Sequence, residues 1–102
     1  MALVQVFKAL GDPVRLEIVQ RLADRSPYTI GDLSKDLGVT RQGARKQLQV
    51  LVSADVIRLK PEGRETKVTL NTASLETVKA FIAKLEKQWD QRLLALKEFT
   101  EK

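Results

Sequence analysis

The chain has no cysteine and no histidine. Without cysteine there are no disulfides, no thiolate metal ligands and no thiol redox chemistry. Without histidine the commonest general base and metal ligand is missing. The five glycines form no phosphate-cradling loop, and no two carboxylates stand at an interpretable catalytic spacing. No apolar run is long enough to cross a bilayer, and no stretch reads as a secretory signal. These gaps predict a chain that is not an enzyme, carries no cofactor or metal and has no membrane partner.

What remains is an ordinary globular composition, 43% hydrophobic and 30% charged over 102 residues. That length predicts one domain, residues 1–102, with a modest core. No repeat, low-complexity segment or linker interrupts it. The net charge of +5 is unevenly spread. Between Thr40 and Thr69 seven cations (Arg41, Arg45, Lys46, Arg58, Lys60, Arg64, Lys67) face three acids (Asp55, Glu62, Glu65), net +4, leaving +1 for the other 72 residues. The concentration fits a footprint for phosphate, with a merely solvated basic surface as the alternative.

The stretch from Thr29 to Val56 organises the chain. Thr29 caps a short helix, with Asp32 in an approximate capping box, and Ile30, Leu33 and Leu37 follow at helical spacing. Gly38 suits a left-handed helix end, and Val39 follows as an apolar plug. Thr40 caps a second helix with Ala44, Leu48, Leu51 and Val52 on its apolar side. Between these lie Arg41, Gln42, Arg45, Lys46, Gln47 and Gln49, and no acid occurs from Thr40 through Ala54. Such a face suits a DNA major groove, where Arg pairs with guanine and Gln with adenine through two hydrogen bonds each.

Before this stretch, Leu3, Val6, Phe7 and Leu10 predict a helix over 2–10 that Gly11 stops. Asp12 caps a second helix opened by Pro13 and running to about Ala23. Val14, Ile18, Val19 and Leu22 are predicted inward, with Arg15, Glu17, Gln20 and Arg21 mostly outward. Ser26-Pro27 breaks the chain. After Asp55 the period alternates: residues 56–60 predict a strand with Ile57 and Leu59 inward, Pro61-Glu62-Gly63-Arg64 a turn, and 65–70 a strand with Val68 and Leu70 inward. The hairpin tip carries Arg64, flanked by Lys60 and Lys67.

A last helix, capped by Asn71 or Thr72, runs to about Thr100. Its 29 residues would measure roughly 44 Å, against a radius of gyration near 13 Å for a compact chain of this size. Its apolar stripe (Leu75, Val78, Ile82, Leu85, Trp89, Leu93, Leu96, Phe99, with Phe81 beside it) continues to the end. A second copy is the simplest cover for it; folding back over the first helix is the alternative.

Four helices, a hairpin and a final helix, in that order, make a mainly α chain with a small β-hairpin, a winged helix–turn–helix layout. Within it, residues 1–11 and 72–100 are predicted to dimerise, 29–53 to form the helix–turn–helix and 56–70 the wing.

The chain also resembles the ArsR/SmtB transcriptional repressors. The likeness is carried by residues 7–19 (Phe-Lys-Ala-Leu-Gly-Asp-Pro-Val-Arg-Leu-Glu-Ile-Val), 30–38, Gln47-Leu-Gln-Val-Leu51 and Gly63-Arg64. It extends over roughly 4–100, and Trp89-Asp-Gln-Arg-Leu-Leu-Ala-Leu96 is similar to the last-helix pattern of some members. The resemblance implies a cytoplasmic homodimer on an inverted-repeat operator, the first and last helices at the interface, the helix from Thr40 in the major groove and the wing at Arg64 on backbone or minor groove. Members that sense metals carry Cys-x-Cys where this chain has Thr29 and Gly31. Others use His and acids on the last helix, which here has Glu76, Glu86, Asp90, Glu98 and Glu101 and no His; an oxygen-only site for a zinc-type metal would be unusual. The usual Ala-Gly before the wing is Ala54-Asp55, which predicts a differently built corner. Arg45 and Gln47 stand where members often have Ser and His.

The expected DNA contacts are Thr40, Arg41, Gln42, Arg45, Lys46, Gln49, Arg64 and Lys67. Gln42 and Arg45 are the candidates for base edges, Arg41 for base or phosphate, and phosphate alone is the alternative for all three. The expected interface residues are Leu3, Phe7, Ile82, Leu85, Trp89, Leu93 and Leu96. Trp89 belongs either to a dimer core or to a ligand pocket, and Tyr28 is either packed structurally or lines an effector pocket. Partners are thus double-stranded DNA, a second copy and an unknown small-molecule effector. The competing function is a winged-helix protein-interaction module without an operator.

Overall fold

The computed structural model describes residues 3–24 and 26–101; the expected helix start at Ala2 lies outside them. Within that range the elements run α1 (Leu3–Leu10), α2 (Pro13–Asp24), β1 (Tyr28–Thr29), α3 (Ile30–Leu37), α4 (Arg41–Ser53), β2 (Ile57–Glu62), β3 (Glu65–Leu70) and α5 (Thr72–Thr100). Helix starts follow their caps. Asp12 Oδ1 accepts from the N–H groups of Val14 and Arg15 at 2.9 and 3.2 Å. Thr29 Oγ1 accepts from Asp32 N–H at 3.0 Å, and Thr40 Oγ1 from Gly43 N–H at 2.9 Å. Gly38, at φ 67°, ends α3 in the left-handed conformation.

The strands form an antiparallel sheet in the order β1-β3-β2. The wing pairs Ile57 with Leu70 through to Glu62 with Glu65, leaving Gly63-Arg64 as the turn with Gly63 at φ 61°. The sequence predicts two strands; the third is β1, whose Tyr28 and Thr29 pair with Val68 and Lys67. Two residues are too few to show an alternating period. Pro61 and Glu62, predicted in the turn, lie in β2. Its place at the sheet edge explains this, because an edge strand has backbone positions where proline's missing N–H costs no ladder bond.

Val6, Ile18, Leu22, Leu33, Leu48, Leu51, Val56, Ile57 and Val68 are buried together, joined by Tyr28 and Ile30. Tyr28 is therefore a packed core residue at the sheet edge. Arg15 departs from its expected outward position. It is part-buried and bonded to the end of α1 and to Gln47 of α4. Hydrophobic periodicity assigns it outward because it reports polarity, whereas a long guanidinium stem can lie across a neighbouring helix.

The corner after α4 keeps the glycine-type geometry instead of the different build expected from Asp55. Asp55 adopts φ 60°, the left-handed conformation that glycine would supply there. Its N–H donates to Val52 O and that of Val56 to Leu51 O, both at 2.9 Å. The carbonyl of Asp55 accepts from Asn71 Nδ2 at 2.9 Å and Ser74 Oγ at 2.6 Å. The start of α5 is thus fastened to the end of α4, and aspartate is held in a left-handed geometry that costs it more than it would cost glycine.

Beyond its first turns α5 leaves the globule. Val78 packs on the core, and Phe81 meets Phe7 edge-on with ring centroids 5.9 Å apart. From Lys79 to Glu101 every residue is exposed. The molecule measures 69 × 23 × 22 Å, with a radius of gyration of 18.4 Å. The helix does not fold back, so its stripe from Ile82 onward is left uncovered in the single chain.

Relief of the left-handed strain gives a stability test. Asp55→Gly is expected to stabilise the fold by roughly 0.5–1 kcal/mol, read by chemical denaturation. A destabilised variant would mean that the aspartate side chain contributes more than its backbone conformation costs.

Candidate nucleic-acid interface

Helix α4 divides its residues sharply. Ala44, Leu48 and Leu51 are buried and Val52 is partly buried. Arg41, Gln42, Arg45, Lys46 and Gln49 are exposed, at spacings of one, four, five and eight residues that share one helical face. No acid lies on α4, and its amino end, capped by Thr40, adds the positive pole of the helix dipole. The face is therefore cationic and rich in bidentate donors.

The fold adds a cleft of about 230 Å³ between the start of α3, the first turns of α4 and the wing tip. Lys35, Arg41, Arg45 and Arg64 line it together with Thr29, Gly31, Asp32 and Glu65, so four cations meet two acids. Gly31 makes room for one of them: a Cβ there would stand 3.0 Å from Arg41 Nη2. The Arg41 guanidinium thus lies against the backbone of α3. Lys35 is not legible from the sequence as part of this site, because it lies outside the basic segment and only the α3–α4 turn angle aims it at the cleft.

The other expected contacts are distributed more widely. Gln42, Lys46 and Gln49 continue along the exposed face of α4. Lys67 does not line the cleft. It is half-buried on β3, where its Nζ lies 3.6 Å from Glu65, and its cross-strand neighbour Lys60 lies 3.9 Å from Glu62. Gln47 turns away from the exposed face and accepts a hydrogen bond from Arg15 Nη1 at 3.0 Å.

The expected interface residues lie on one side of α1 and along α5. Leu3 is half-buried; Phe7, Ile82, Leu85, Leu93 and Leu96 are exposed, and Trp89 is 60% exposed. Thr29, one of the two metal-ligand positions implied by resemblance, uses its hydroxyl as a helix cap. Among the described residues no three acidic side chains gather as a metal site, and no helix is long and apolar enough to cross a membrane.

The helix–turn–helix domain family matches residues 10–60, from the end of α1 through most of β2. An uncharacterized HTH-type transcriptional regulator of Bacillus subtilis, YuzN, is 33% identical over 79 residues, spanning 72% of this chain and 86% of that one. The solved structure of an ArsR-like transcriptional regulator from Rhodococcus sp. RHA1 superposes with a TM-score of 0.85 at 31% identity, covering 98% of this chain and 91% of that one. A possible ArsR-family regulator from Mycobacterium bovis, Mb0332, solved as a homodimeric winged helix-turn-helix DNA-binding domain, shares the fold at a TM-score of 0.66 and 24% identity, covering 90% of this chain and 82% of that one. The matching family, the shared fold and the outward cationic helix agree: this chain is a DNA-binding transcriptional regulator of the ArsR-like winged helix–turn–helix family.

Proposed function

We propose that the protein is a homodimeric repressor of an inverted-repeat operator, a single domain whose α1 and α5 pair two copies and whose α4 enters successive major grooves about 34 Å apart. The observation that carries this reading is the acid-free, exposed face of α4 standing beside the wing-tip Arg64. In it, Gln42 and Arg45 read base edges. Arg41, Lys35 and Arg64 hold phosphates where the backbone crosses the cleft, assisted by the amino end of α4. Thr40, Lys46 and Gln49 flank them on the backbone. Lys67 joins by giving up its partly exposed ion pair with Glu65, which is worth about 1 kcal/mol or less.

The dimer is supported by the bare stripe on α5. Fully burying one exposed side chain of this kind yields about 1.5–3 kcal/mol, and the stripe offers six to a partner: Ile82, Leu85, Trp89, Leu93, Leu96 and Phe99. The homodimeric state of the Mycobacterium bovis relative is in keeping with this. Leu3 and Phe7 of α1 extend the same surface, with Ile82, Leu85, Trp89, Leu93 and Leu96 along its length. A cytoplasmic location and relief by a small-molecule effector complete the proposal.

Three measurements test it. Duplex affinity is expected to fall about 10³-fold between 50 and 200 mM salt, as six or more phosphate contacts release counterions; a protein-interaction module would bind duplex weakly at any salt. Arg45→Ala is expected to lose about 1–3 kcal/mol on the selected duplex and to relax preference at one base position. Equal binding of wild type and variant to selected and scrambled DNA would refute the role. Leu93→Asp is expected to sediment as a monomer and to bind the full repeat at least about tenfold more weakly; a variant that stays dimeric would overturn the interface.

A further inference from the structure

We propose that Arg15 is a positioning residue for DNA reading: its guanidinium fixes the rotation of α4 against α1 and so transmits the subunit arrangement to the helix in the groove. The inference rests on the dimeric operator reading above.

Arg15 sits in the first turn of α2 with its side chain 19% exposed. Its Nε donates to the carbonyl of Ala9 at 2.7 Å and its Nη2 to that of Lys8 at 3.4 Å. These carbonyls belong to the last turn of α1, where the dipole favours a cation; that of Lys8 also accepts from Gly11 N–H at 3.2 Å, whereas that of Ala9 takes Arg15 Nε as its donor from outside the helix ladder. The third arm, Nη1, donates to Gln47 Oε1 at 3.0 Å and lies 4.0 Å from Asp12 Oδ2, on the carboxylate that caps α2. One planar fork thus joins three helices, a geometry that an ammonium group does not reproduce.

Gln47 lies on the flank of α4, between buried Leu48 and exposed Lys46. The far end of α4 is tied elsewhere, through the Asp55 carbonyl to Asn71 and Ser74 at the start of α5. The reading helix is therefore fastened to α5 at its end and to α1 near its middle, the two helices of the proposed interface. Val6 and Ala9 also share the core with Leu48 and Leu51. Such apolar contacts are non-directional and set the separation of the helices. The hydrogen bonds of Arg15 are directional and set the rotation. Without them, α4 pivots about its Asp55 anchor. A single half-site tolerates that freedom, whereas two half-sites at a fixed spacing do not.

The probes are the duplex that wild-type protein selects from a random pool, the same duplex with one base pair inserted at its centre, and a single half-site. The insertion turns one half-site by about 34–36° relative to the other. Wild type is expected to lose at least about tenfold on insertion. Arg15→Met and Gln47→Leu are each expected to bind the uninterrupted duplex roughly tenfold more weakly, to stay within about threefold of wild type on the half-site and to lose distinctly less on insertion. The double variant should be no weaker than the weaker single one. Gln47→Leu leaves the bonds of Arg15 to α1 intact, so it decides the matter if Arg15→Met fails to fold. An insertion penalty unchanged from wild type, additive losses, or a half-site loss equal to the full-site loss would each overturn the proposal. The last would place Gln47 on the DNA itself. Wild type that selects no duplex would refute the operator reading, and this inference with it.

Discussion

The burial of Ala44, Leu48 and Leu51 is the constraint from which the rest follows. These residues bind α4 to the core along one side and leave its other side no choice but to face solvent. Arg41, Gln42, Arg45, Lys46 and Gln49 then form a continuous surface, because a helix repeats every 3.6 residues. A buried Arg or Lys without a partner would cost several kcal/mol. The same pattern that stabilises the fold therefore also presents its chemistry.

Charge and dipole act together at that surface. The wing turn at Gly63 carries Arg64 back toward the first turns of α4, and Gly31 leaves space for Arg41 against α3. Four cations from three elements meet where no single sequence segment supplies them all. Asp32 and Glu65 in the same cleft keep it from being uniformly positive and hold the local repulsion down. Long α5 supplies a different resource, an apolar stripe that the core does not use. Its first turns are committed, through Phe81, Asn71 and Ser74, to α1 and to the end of α4. The remainder is free for a second copy.

The sequence was most legible where one residue type is tied to one local geometry. Thr29, Thr40 and Asp12 cap helices as read, Gly38 ends α3, and the run from Thr72 to Thr100 forms one helix of the expected length. It was least legible where a residue answers to something distant. β1 exists because β3 offers it an edge, and Pro61 is allowed in β2 because that strand lies outermost. Asp55 takes the left-handed corner because its carbonyl is wanted by Asn71 and Ser74. Arg15 turns inward because the carbonyls that end α1 accept it: that of Ala9 takes Nε, and that of Lys8, which also accepts from Gly11 N–H, takes Nη2.

The order of elements, the apolar face of each helix, the basic bias of α4 and the surplus stripe of α5 are local or periodic properties, and the amino-acid sequence determined them without help. The meeting of Lys35 with Arg64, the separation of Lys67 from the cleft and the bond between Arg15 and Gln47 were decided only by tertiary structure. Each depends on the angle between elements, which is set by how side chains interlock across the core and leaves no periodic trace in the chain.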